Sequence, residues 1–289
     1  MTISGACRKY TSILKERGIA DAADEAMILI CNILKIDTAE FYARPDRVLN
    51  DEEMSVLSAV LDRRLGGEPA AYIINSREFY GIDFYVDERV LVPRPETETL
   101  VEAAIEYCRL KPGGRLLIAD IGTGSGAVAI ALALNLPEAL IYAVDISAGA
   151  LEVAERNVRN YGLQDRIILL QGDLLSPLPQ PVDVIAANLP YIAADEVKRL
   201  PVEVSGYEPE IALRGGDSGT EVIGRLLVQV QSNLRKDGIV LLEIGQGQED
   251  EIFKMVKRNI PSGEVFQRND LAGIKRVVII TIPVFDIDE

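Results

Sequence analysis

Histidine is absent from the 289 residues, which removes the commonest general base and metal ligand. A Ser/His/Asp triad is thereby excluded and a zinc site disfavoured. Cysteine is scarce as well. Cys7, Cys31 and Cys108 are widely spaced, form no CxxC pair and read as reduced structural residues. Basic charge is also short: 30 Lys and Arg stand against 45 Asp and Glu, a net charge of −15, so a large surface tracking nucleic-acid phosphates is electrostatically unfavourable. No stretch approaches the roughly 20 uninterrupted apolar residues of a membrane span. The N-terminal MTISGACRKYTSILKERG lacks the basic start and apolar run of a secretory signal. No internal repeat or low-complexity segment breaks the chain. A cytoplasmic protein, without a membrane or direct nucleic-acid partner, is expected.

What is present suits a soluble globular protein: 48% of residues are hydrophobic and 26% charged, and the length suits two domains. Residues 1–74 read as helices, with Ile13, Leu14, Ala26, Ile30 and Ile33 at three- and four-residue intervals. Asp51 is expected to cap a helix through Met54, Leu57, Val60 and Leu61 that ends at Gly66 and Gly67. Such a module is either plain packing or a holder for a macromolecular substrate. Residues 75–95 switch to alternation with aromatic and β-branched residues around Gly81, a hairpin signal closed by Pro93 and Pro95. Residues 96–289 form a third segment that opens with a helix over Glu96–Cys108. There, LLIADIG, ALIYAVDIS, RIILLQGD, VDVIAANLP and GIVLLEIG are near-continuous apolar runs separated by helical pattern, and KRVVIITIPVF adds a last strand. Strands of a parallel sheet buried on both faces look like this.

Four stations along those strands carry chemistry. Gly122-Thr123-Gly124-Ser125-Gly126 follows the first run and opens a helix. Its glycines allow a sharp turn and close approach of a ligand to unpaired helix N–H groups. Its third glycine comes one residue earlier than in the dinucleotide fingerprint, which disfavours a pyrophosphate ligand. Asp145, at the end of the next strand, sits where a doubly wound fold sets a carboxylate beside a ribose, although it could also cap the following helix. Asp173, after the third strand, could accept from an adenine amine or cap its own loop.

The fourth station is Asn188-Leu189-Pro190-Tyr191, at the carboxyl end of a strand where open α/β sheets bind ligands. The nitrogen of an amide or aromatic amine is a poor nucleophile, because its lone pair is delocalised. The Asn188 side-chain oxygen and the Leu189 carbonyl can each accept one N–H, which fixes that nitrogen and favours electron density toward a sulfonium methyl. Pro190 stiffens the turn, and Tyr191 can pack on the planar group. No protonatable base is needed, which agrees with a chain lacking histidine.

At these residues the chain resembles the amino-directed class I methyltransferases, and within them the glutamine N5-methyltransferases of class 1 peptide chain release factors. The resemblance covers nearly the whole chain and extends to REFYGIDFYVDERVLVPRPETE, GYEPEIALRGGDSG and NDLAGIKRVV. It implies a Rossmann-like α/β domain with a seven-stranded, mostly parallel sheet, preceded by a small helical domain and a hairpin linker. It also implies that Gly122 to Gly126, Asp145, Asp173 and Asn188 contact S-adenosyl-L-methionine, that Asn188 to Tyr191 hold the glutamine of a Gly-Gly-Gln tip, and that Arg94 to Thr97 support the site. Position 189 is Leu where the family usually has Pro, which predicts a less fixed fork. Residues 192–219 are long for a connection and suggest a lid or docking loop. Two relatives in chemistry remain: an adenine-N6 methyltransferase, against which the net charge speaks, and a ribosomal protein glutamine methyltransferase. A loss of catalysis is disfavoured by the intact tetrapeptide. A monomer is expected.

Overall fold

The computed structural model describes residues 1–111 and 114–282. They form two compact units, Met1–Ser76 with Pro201–Tyr207, and Arg77–Leu200 with the chain from Glu208 onward.

The first unit is helical: α1 (Ile3–Glu16), α2 (Ala22–Leu34), α3 (Thr38–Ala43), α4 (Asp51–Leu65) and α5 (Ala70–Ile74). Ile3, Tyr10, Leu14, Ala26, Ile30, Phe41 and Leu57 meet in one apolar core. Their spacing puts them on one stripe of each helix. The cap of α4 is Asn50, one residue before the expected Asp51. Asn50 accepts from the Glu53 N–H at 2.8 Å and donates its own N–H to the Glu53 carboxylate at 2.9 Å. An amide serves here because this reciprocal box needs a side-chain acceptor three residues before a glutamate, and only position 50 has that register. Arg64 is buried, and its guanidinium bonds Glu25 and Glu203, each at 2.6 Å. Glu203 lies in the short helix Val202–Ser205, a stretch contributed from far along the chain.

The second unit opens with a hairpin, β1 (Arg77–Phe79) and β2 (Ile82–Phe84), shorter than the alternation predicted. Beyond Phe84 the backbone finds another partner: the Asn157 side chain accepts from Tyr85 N–H and donates to its carbonyl, both at 2.9 Å. Those bonds replace a strand ladder, and extended pairing stops. After a 3-10 turn at Pro95–Thr97 comes α6 (Glu98–Leu110), two residues later than expected. There follow β3 (Leu117–Ile121), α7 (Ala127–Asn135), β4 (Leu140–Asp145), α8 (Ala148–Asn160), β5 (Ile167–Gln171) and β6 (Val182–Ala187). Next are β7 (Ile192–Ala193), α9 (Ala194–Val197), α10 (the Val202–Ser205 helix of the first unit), α11 (Glu210–Leu213) and β8 (Arg214–Gly216). The chain finishes with α12 (Glu221–Asn233), β9 (Leu234–Glu243), α13 (Glu249–Asn259), β10 (Glu264–Asn269) and β11 (Lys275–Thr281). Pro283, Val284 and Phe285 of the last predicted strand lie outside the described residues.

The main sheet has seven strands in the order β10-β11-β9-β6-β3-β4-β5, parallel from β9 to β5, with β11 antiparallel to both its neighbours. The expected mostly parallel α/β sheet is therefore present. Every residue of β3 is buried, because helices cover both faces. Each fully buried Ile or Leu there is worth about 1.5–3 kcal/mol. The chain runs outward from β3 to β5, then returns to lay β6 on the other side of β3. The topological switch point thus falls at the carboxyl ends of β3 and β6, where the two connections part and leave a crevice. No described helix is long and apolar enough to cross a membrane.

Candidate active site

A cavity of about 590 Å³ occupies that crevice, within the roughly 300–1,000 Å³ of small-molecule sites. One wall is the glycine turn. Gly122 and Thr123 donate their N–H groups to the Val144 carbonyl, each at 2.9 Å, which ties the turn to the end of β4. Asp120 secures it from beneath: its carboxylate accepts the Thr123 hydroxyl at 2.6 Å and the Ala129 N–H at 3.1 Å. Burial pushes this carboxyl up to about 7, against those two bonds. Gly126 takes a left-handed φ of 81° and begins α7.

Asp145 accepts from Gly124 N–H through one oxygen and from Ser147 N–H through the other, both at 2.9 Å. Burial raises its pKa, and the backbone N–H groups oppose the rise. The cap of α8 is Ser147, which accepts from Ala150 N–H at 3.2 Å, so Asp145 is not spent as a helix cap. Asp173 also lines the cavity, but its carboxylate is engaged in an ion pair with Arg225, another lining residue.

Asn188, Leu189 and Pro190 line the same cavity as the glycine turn. The Leu189 side chain is buried in the core, so packing holds its backbone where a proline ring would do so covalently. Tyr191 is packed against the same core and its hydroxyl lies 3.4 Å from a Glu243 carboxylate oxygen. Burial, with Glu243 beside it, pushes the phenol up to about 12. Its carbonyl accepts from the Gln248 side chain at 2.8 Å. Gly215, the middle residue of RGG, passes so close that a Cβ there would stand 2.5 Å from the Pro190 carbonyl oxygen. That approach explains why glycine stands at this point of the motif.

Of the sequence-predicted residues, Gly122 to Ser125, Asp145, Asp173 and Asn188 to Pro190 line one cavity together with Arg94 and Thr97. Gly126 precedes α7 as its N-cap, and Tyr191, the last residue of the tetrapeptide, packs against the core; neither is among the residues lining the cavity. Three sets of contacts escaped the sequence. The Asn188 amide donates to Thr97 Oγ1 at 2.9 Å, and that hydroxyl donates to Glu243 at 2.6 Å. Glu208, almost fully buried, takes the Arg94 guanidinium at 2.5 Å and the Val92 N–H at 3.4 Å. Pro209 to Ala212 and Arg214, from the long excursion after β6, form the rim. Glu243 carried a signal, an acid ending the apolar run GIVLLE, and the rim falls within the long excursion 192–219 that suggested a lid or docking loop.

Comparison with known proteins gives the family. Residues 6–74 match a sequence family described as the PrmC N-terminal domain, and residues 97–206 match one described as ribosomal protein L11 methyltransferase. A release factor glutamine methyltransferase of Rhodopirellula baltica is 39% identical over 272 residues, 93% of this chain and 92% of that protein. The enzyme of the same name from Bradyrhizobium diazoefficiens is 37% identical across 96% of this chain and 94% of its own length. The chain belongs to the release factor glutamine methyltransferase family. Among solved structures, the ribosomal protein L11 methylase of Lactobacillus delbrueckii matches with a TM-score of 0.50 and 26% identity over 69% of this chain and 84% of that one. A Pyrococcus furiosus methyltransferase shares the fold, with a TM-score of 0.52, 18% identity and coverage of 78% of this chain and all of that one. The chain is an enzyme of the methyltransferase class.

Proposed function

We propose that this protein transfers the methyl group of S-adenosyl-L-methionine to the side-chain amide nitrogen of the glutamine in the Gly-Gly-Gln motif of class 1 peptide chain release factors, in the cytoplasm and as a monomer. The observation that carries the reading is that Asn188-Leu189-Pro190, the glycine turn and Asp145 line one cavity.

The residues fit the cofactor. Only the Gly122 carbonyl lies within 4 Å of where a Gly124 Cβ would be, at 3.9 Å, which leaves the turn open to a ligand. Asp145 retains acceptor capacity beside it for two ribose hydroxyls. Gly122 to Gly126 would hold the methionine end, and Asp173, by position, would border the adenine. When bound, S-adenosylmethionine supplies an electrophilic methyl on sulfur.

The chain's own residues do the rest. Asn188 Oδ1 and the Leu189 carbonyl accept the two amide hydrogens, which orients the nitrogen and places negative potential where its positive charge develops. Tyr191 supports the turn from below, and water takes the proton of the product. Residues 1–74 would dock the release factor, residues 75–95 would link, and the remainder would catalyse. The test is labelled methyl transfer to a purified class 1 release factor together with cofactor titration by calorimetry. Transfer that fails with a Gln→Ala factor, and cofactor affinity weakened by Asp145→Ala, are expected. Binding of cofactor without transfer to the factor would overturn the substrate.

A further inference from the structure

We propose that Glu243 is a positioning residue which, through Thr97, decides which end of the Asn188 side-chain amide faces the cavity; the inference rests on the function proposed above.

The reasoning is proton counting along three groups. Thr97 has one hydroxyl proton and gives it to Glu243 Oε2 at 2.6 Å. It can then only accept from Asn188, so the NH2 end of the amide turns toward it, at 2.9 Å. No hydrogen bond from the described residues reaches Asn188 Oδ1. The acceptor end is left for a substrate N–H. Glu243 is 1% exposed, and its other oxygen lies 3.4 Å from the Tyr191 hydroxyl. One carboxylate therefore orients both ends of the tetrapeptide.

Protonation reverses the relay. A protonated Glu243 can donate to Thr97, whose own proton then points at Asn188. The amide turns over and presents NH2 to the cavity, where it opposes the N–H groups of a substrate. The charged and titratable groups around Glu243 are Arg276, which favours its ionised form, Glu96, which opposes it, and Tyr191, which hydrogen-bonds it. Arg276 is itself shared with Asp270 at 3.3 Å. Desolvation outweighs them and raises the carboxyl to about 7.

Two measurements test this. In ligand-free protein, the side-chain amide resonances of Asn188, assigned by their loss in Asn188→Ala, should shift with a midpoint near pH 7 and stop titrating in Glu243→Gln and Thr97→Val. With a release factor as substrate, wild-type kcat should fall as pH drops through that midpoint. Both variants should lose roughly tenfold or more in kcat at pH 8, about the worth of one hydrogen bond, with a smaller change in KM and cofactor affinity kept. Thr97→Ser, which retains the hydroxyl, should restore what Thr97→Val loses. Asn188 resonances that do not titrate, or variants with wild-type kcat and pH profile, would overturn the relay. Absence of transfer by the wild type would instead overturn the proposed function and leave the resonance measurement to decide the relay.

Discussion

Two glycines of the same turn should fail in different ways when given a methyl group. Gly122 and Gly124 both hold left-handed backbone, at φ 75° and 55°, so Ala at either costs about 1–2 kcal/mol of stability. For a chain of this size that lowers the unfolding midpoint by roughly 2–8 °C. Their surroundings separate them. A Cβ on Gly122 would stand 3.3 Å from the Asn188 backbone carbonyl oxygen and from Cδ2 of the core-packed Leu189, whereas among the described residues a Cβ on Gly124 meets the Gly122 carbonyl at 3.9 Å. Gly122→Ala should therefore be the less stable of the two. Gly124→Ala spends its methyl on the space a ligand needs. Overpacking of about 1–3 kcal/mol translates to roughly fivefold to a hundredfold weaker S-adenosylmethionine binding. Scanning calorimetry measures the first effect and titration calorimetry the second. A Gly124→Ala protein that binds the cofactor as tightly as wild type would refute the assignment of that wall.

Asn188→Ala should lower kcat by about 10²–10³-fold, the usual loss for one preorganised electrostatic group, while circular dichroism and cofactor titration remain close to wild type. Arg64→Met should destabilise the helical unit by about 3 kcal/mol, because it strands Glu25 and Glu203. The figure is at the low end for a broken buried pair, since Glu203 is 42% exposed at its side chain and can be hydrated; urea unfolding checks it. Asp120 and Glu243 are both raised to about 7 by burial. The unfolded chain ionises these carboxyls first, near pH 4, so their contribution to stability is present below that pH and is lost as pH rises toward 7. Wild-type protein should thus show a falling stability component between pH 4 and 7, flattened in Glu243→Gln.

Much of the second unit was legible because its strands are buried on both faces and so read as unbroken apolar runs. The glycine turn was legible because positive φ restricts the residue type. Ligand residues at strand ends follow from topology once the strands are known. Other features were hidden for physical reasons. The hairpin stops at Phe84 because the side chain of Asn157, 72 residues on, takes up the backbone of Tyr85; alternation could not show that competitor. The cap of α4 shifted to Asn50 because a reciprocal bond with Glu53 outweighs the choice between two adjacent capping residues. Glu243 reaches Thr97 across 146 positions, and no spacing rule encodes such a contact. Residues 192–219 read as one loop, yet their middle, Pro201–Tyr207, belongs to the helical unit, held there by the Glu203 to Arg64 ion pair. The pairing of Asp173 with Arg225 likewise joins a loop to a helix that periodicity treats separately.

The central claim is a glutamine side chain held at Asn188 and Leu189, and mapping the modified residue tests it most directly. A class 1 release factor incubated with the enzyme and labelled S-adenosylmethionine, digested and sequenced by mass spectrometry, should carry one methyl on the side-chain nitrogen of the Gly-Gly-Gln glutamine, and none when Asn188 is replaced by Ala. A methyl on another residue of the factor, or label found only on duplex DNA or ribosomal protein in parallel reactions, would contradict the account.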